Sequence, residues 1–95
     1  MRHATPDDLE QVRSLLEDLR AVPGLVERKP GTFYRQSRAF LHFHSDPSGM
    51  YVDARLGHDD FERQRVTTVK EQARFLGQVR RATRQRTAAG ERPLP

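Results

Sequence analysis

The stretch Arg38–Leu56, RAFLHFHSDPSGMYVDARL, constrains the fold more than any other part of the chain. Asp46-Pro47-Ser48-Gly49 has the chemistry of a tight turn. Asp suits its first position, Pro sets the φ of the second, and Gly supplies the fourth. With Ser45 opposite Met50, the flanking residues pair as His44 with Tyr51, Phe43 with Val52, His42 with Asp53, Leu41 with Ala54, Phe40 with Arg55 and Ala39 with Leu56. This register gathers Ala39, Leu41, Phe43, Val52, Ala54 and Leu56 on one face. It gathers Phe40, His42, His44, Tyr51, Asp53 and Arg55 on the other. A slip of one residue would mix the two sets, so the clean sorting supports the pairing. The aliphatic face is the expected core, and the mixed face is where a function is to be sought.

The elements on either side of the hairpin read as helices and further strands. Thr5 is a suitable N-cap, Pro6 fits the first helical position, and Asp7 and Asp8 complement the positive end of the helix dipole. Leu9, Val12, Leu15, Leu16 and Leu19 make an apolar stripe that ends at Pro23-Gly24. Leu25–Arg28 reads as an edge strand interrupted by Pro30-Gly31. Thr32–Arg35 follows, joined to the central hairpin through Gln36-Ser37, with Tyr34 expected opposite Ala39 and Phe33 opposite Phe40. A further strand spans Phe61–Val66. Pairing Leu56 with Phe61 and Arg55 with Glu62 aims Arg63 and Arg65 toward the core side, which is tolerable only at an edge. The Thr68…Glu71 spacing is a capping box. It opens a helix whose Val69, Ala73, Leu76, Val79 and Ala82 face the sheet, with Phe75 beside them.

This element order predicts a two-layer α+β sandwich over residues 1–86. A three- to four-stranded antiparallel sheet carries an N-terminal and a C-terminal helix on one face (α-β-β-β-β-α). The segment 87–95, with small residues, Gly and two prolines, is expected to be a disordered tail. The 95 residues suffice for one core. The start, MRHATPDD, has no apolar centre, so a cytoplasmic protein is expected. The absence of cysteine excludes a disulfide framework, a thiol nucleophile and a Cys-based zinc site.

Four chemical readings attach to particular residues. Phe33, Phe40, His42, His44, Tyr51, Asp53 and Arg55 form an aromatic and cationic sheet face. That composition suits a binding surface for a second copy, a protein or a small molecule, and a homodimer or protein partner is the first expectation. Nucleic acid is the alternative. It would be held by that face or by the stripe Lys70, Arg74, Arg81 and Arg84, which an arginine-rich chain also presents as an ordinary solvated surface. Met1–Glu27 carries three arginines against six acids, whereas Glu62–Pro95 carries nine basic residues against three acids, which permits an acidic partner at the C-terminal end. His42-x-His44 with Asp53 is a candidate metal set. A strand pair supplies few ligands, and Asp46 and His58 lie in turns, so unliganded strand residues are the simpler reading. Lastly, His42 opposite Asp53 matches the base-and-orienter half of a hydrolytic triad. Ser37, Ser45, Ser48 and Tyr51 sit in no nucleophile motif, so a non-enzymatic protein without a cofactor is expected. Asp53 beside His42 would raise the imidazole pKa.

The order helix, Pro-Gly, antiparallel strands, helix, with FYRQSRAFLHF in the sheet, resembles the YjbR-type proteins, which have a frataxin-like α+β fold and are suggested to bind DNA. The run His42-Phe43-His44, a Gly-containing turn and Asp53 is similar to the H-x-H…G…D pattern of the small bacterial "luciferase domain" family, although the turn here is longer. The chain also looks like small conserved proteins of actinobacteria. The resemblance covers roughly Leu15 to Val79, mainly through element order, and what it implies is the α+β fold.

Overall fold

The computed structural model describes residues 1–57 and 59–91, with side chains described through Arg84 and His58 outside the description. The elements in chain order are β1 (Arg2–His3), α1 (Pro6–Leu9), a 3-10 turn (Glu10–Val12), α2 (Arg13–Arg20), β2 (Leu25–Lys29), β3 (Thr32–Arg35), β4 (Arg38–Asp46), β5 (Gly49–Ala54), β6 (Glu62–Arg65) and α3 (Val69–Glu91). The strands form one antiparallel sheet in the order β2-β3-β4-β5-β6, with β1 added beside β4. The α+β architecture is therefore as the sequence implies, with a wider sheet. No helix of the described residues is long and apolar enough to cross a membrane.

The central hairpin has the register read from its turn. Leu41 pairs with Ala54, His42 with Asp53, Phe43 with Val52, His44 with Tyr51 and Ser45 with Met50. The Asp46 carboxylate accepts from the Ser48 backbone N–H (3.1 Å) and hydroxyl (2.7 Å), which closes the turn. Gly49 follows at φ +143°, a conformation that L side chains rarely adopt, and a Cβ there would collide with Thr67 Oγ1. That hydroxyl accepts from Met50 N–H (2.8 Å) and so ties the turn to the segment before α3. Gly49→Ala should therefore lower stability by about 1–3 kcal/mol, from strain and the displaced Thr67. Urea unfolding of the two proteins would check this, and unchanged midpoints would show that the turn relaxes freely.

One core joins the helices to one face of the sheet. Leu9, Val12, Leu15, Leu16 and Leu19 from the N-terminal helical segment meet Phe75, Leu76 and Val79 of α3 over Leu41, Phe43, Val52 and Ala54. Val69 and Ala73, expected on the buried side of α3, are exposed, so that the apolar stripe begins at Phe75. Both helix starts are capped as their sequences indicate. Thr5 and Asp8 make a reciprocal capping box, and Thr68 and Glu71 exchange bonds of 2.9 and 3.1 Å. Helix α3 continues to Glu91, overlapping the segment expected as a tail, and residues 92–95 lie outside the described residues.

Two registers differ from the sequence reading, and both change which residues share the outer face. Tyr34 pairs with Ala39 as expected, but a β-bulge then places Phe33 opposite Leu41 instead of Phe40. Phe33 and Phe40, expected on the mixed face, are consequently core residues, 0% and 4% exposed. Arg35 is carried to the buried side as well, and its Nη2 donates to the Thr83 carbonyl of α3 at 3.1 Å. The Gln36-Ser37 link takes φ +53° and +68°, as a tight hairpin turn requires. In the other case, β6 is shifted by one residue, so that Asp53 pairs with Arg63 and Ala54 with Glu62. The shift turns Arg63 and Arg65 away from the core. Gln64 and Val66 then occupy the core side, and Val66 is fully buried.

Candidate metal centre

The side of the sheet away from the helices carries three imidazoles. His42 and His44 alternate along β4 and share its outer face. His3 arrives on β1, where it pairs with His44. The N-terminal helix cap fixes that approach. Asp8 accepts from Thr5 N–H (2.9 Å) and from Arg2 (2.6 and 3.2 Å), while Ala4 N–H donates to the Phe43 carbonyl (3.2 Å). The three rings lie 4.7–5.7 Å apart by centroid. One potential ligand nitrogen from each falls within 4.8 Å of the others.

The charges around this cluster are arranged on β5 and β6. Arg63 grips Asp53 with two bonds, Nε to Oδ1 at 2.7 Å and Nη2 to Oδ2 at 2.9 Å. His44 Nε2 sits 3.1 Å from Asp53 Oδ2, without hydrogen-bond geometry. The Arg63 bonds hold the Asp53 carboxyl below its ordinary pKa. Burial, followed by the neighbouring His44, pushes the His42 pKa below its ordinary value, with Asp53 opposing. The expected rise at His42 is thus reversed. Asp53 is shared with Arg63 and His44, and desolvation of the half-buried imidazole outweighs what remains of its attraction. The buried Nδ1 of His42 has no hydrogen-bond partner among the described residues.

Phe61 closes one end of the cluster. Its ring meets His42 edge-on at 4.9 Å, and the Arg55 guanidinium lies over it at 4.2 Å. Tyr51 is half-buried on the same face and shares a 2.8 Å hydrogen bond with Ser48.

Of the seven residues read from the sequence as a binding face, the structure keeps His42, His44, Tyr51, Asp53 and Arg55 together and removes Phe33 and Phe40 to the core. It adds His3, Phe61 and Arg63. No periodicity could have revealed His3, because β1 is two residues long and its pairing partner lies about forty residues away. Arg63 was detectable, since a register that turns two arginines toward a core is a warning to shift by one. His58 lies outside the described residues. Lys70, Arg74, Arg81 and Arg84 are all exposed on α3, and none of them forms an ion pair among the described residues. Comparison of the chain with protein-family models, with curated proteins and with solved structures finds no match.

Proposed function

We propose that this protein is a metal-binding module that holds a divalent transition metal, zinc above all, through His3, His42 and His44. The observation that carries the reading is the convergence of three imidazoles from two strands, two of them, His42 and His44, with a buried nitrogen that has no hydrogen-bond partner among the described residues. Neutral imidazole suits zinc, copper and nickel, whereas the oxygen donors that calcium and magnesium prefer are scarce here. Zinc–nitrogen bonds of about 2.0–2.1 Å place tetrahedral ligand nitrogens about 3.4 Å apart, so small side-chain rotations bring this set to ligating distance. His44 lies 3.1 Å from the Asp53 carboxylate, which would serve as the outer partner of that ligand ring. Three ligands leave a fourth position for water or an added donor. The sheet face then binds an ion rather than a second copy of the chain, which fits the loss of Phe33 and Phe40 from that surface.

Zinc titrated in competition with a chromophoric chelator tests the reading. One equivalent should bind. His3→Ala and His42→Ala should each weaken it by at least about 100-fold, and Asp53→Asn by about 10- to 100-fold. Retention of full affinity by either histidine variant would overturn the proposal.

A further inference from the structure

The outward face of α3 has a charge pattern of its own. Between Val69 and Arg84 the sequence holds five basic residues and one acid, Glu71. That acid is already engaged. It accepts from the Thr67 and Thr68 N–H groups (3.0 and 2.9 Å) and pairs with Arg65 at 2.9 Å. Lys70, Arg74, Arg81 and Arg84 recur at helical spacing, which puts all four on one side of the helix. All four are exposed, and none forms an ion pair among the described residues. Ala73 and Gly77 lie between them, so the floor of the stripe is low. Phe75, Leu76 and Val79 point the other way, into the core. Val69, at the start of the helix, is the one large apolar side chain exposed on it between Val69 and Arg84.

Cations held in a row on a rigid rod repel one another, and a polyanion laid along them turns that repulsion into attraction. At about 1.5 Å per residue, the stripe from Lys70 to Arg84 runs about 21 Å. That is about the length of six base pairs at about 3.4 Å each. Three of the four cations are arginines, whose forked donors match phosphate oxygens. A lipid surface or a protein partner fits less well. Helices that lie on membranes bring Trp, Phe or Leu to the bilayer, and protein interfaces are enriched in aromatic residues and Met. This face offers none of these. The B-form major groove admits an α-helix, whereas the A-form groove of an RNA duplex is too narrow. We propose that the outward face of α3 binds double-stranded DNA through its phosphates, with Ala73 and Gly77 letting the helix backbone approach the groove. Phosphate contacts carry no sequence information, so binding is without sequence preference. The surface is separate from the imidazole cluster and does not depend on metal.

The chelator-treated full chain is titrated into a fluorescein-labelled DNA duplex of about 20 base pairs over about 50–200 mM salt, with anisotropy as the readout. Log affinity should fall linearly with log salt at a slope of about −3.6, about −0.9 for each of four phosphates. The double variant Arg74→Gln with Arg81→Gln should bind about tenfold or more weakly at the lowest salt and bring the slope to about −1.8. Both side chains are exposed, so the variant keeps the fold. The control, Arg28→Gln with Arg38→Gln, removes the same charge from exposed positions on β2 and β4 and should leave affinity and slope nearly unchanged. An equal loss in the control would overturn the proposal, because net charge alone would then account for binding. So would the absence of binding at the lowest salt, or an RNA duplex of the same length binding as tightly. Displacement of the DNA by phosphatidylserine vesicles or polyglutamate at equal charge concentration would assign the face to a membrane or an acidic protein instead.

Discussion

Phe33→Ala should destabilise the protein by about 3–5 kcal/mol, the usual consequence of emptying a fully buried aromatic site. Phe33 has no exposed surface and belongs to the single core beneath the helices. A domain of this size has about 5–15 kcal/mol of total stability, so the variant should approach the unfolding threshold at room temperature. Tyr51→Ala is the proper comparison. Tyr51 is an aromatic on the same sheet but half-buried on the polar face, where its hydroxyl bonds Ser48. Its loss should cost no more than about 1–1.5 kcal/mol. Guanidinium unfolding of both variants distinguishes the bulged register from the regular hairpin, which would leave Phe33 on the outer face. Similar, small losses in the two variants would show that the bulge is absent.

Zinc affinity should collapse on acidification. Each ligating imidazole must shed its proton, so where all three are protonated each pH unit costs about tenfold per histidine, or about a thousandfold in all. His42 enters this competition late, because burial and the adjacent His44 already hold its pKa down. In the metal-free protein the same shift has a sign that can be checked. His42 binds its proton less readily folded than unfolded. Its contribution to stability is therefore present above the ordinary histidine pKa of about 6.5 and is lost as pH falls through the lower, folded value. Metal-free stability should decline over that acid range, and His42→Gln should flatten the decline. Chelator competition at a series of pH values gives the number of protons released per zinc. A slope near one would mean that a single histidine holds the ion, which the three-imidazole site cannot accommodate.

What could be read from the sequence was what local chemistry decides. Asp46, Pro47 and Gly49 define a turn, and a turn fixes the register of the strands it joins. The His42–Asp53 and His44–Tyr51 pairs followed from that alone. The caps at Thr5 and Thr68 were equally local, each a matter of residues three apart. Tertiary structure decided everything that depends on distant segments. Periodicity within a strand does not announce a bulge, so Phe33 and Phe40 changed sides. The loop before β6 left its register open, and packing chose the pairing that buries Val66 and frees Arg63 to grip Asp53. His3 joined the imidazole pair because the Thr5–Asp8 cap lays the first residues along β4. Strand alternation is a property of the local backbone. The meeting of three histidines is a property of how separate strands are assembled.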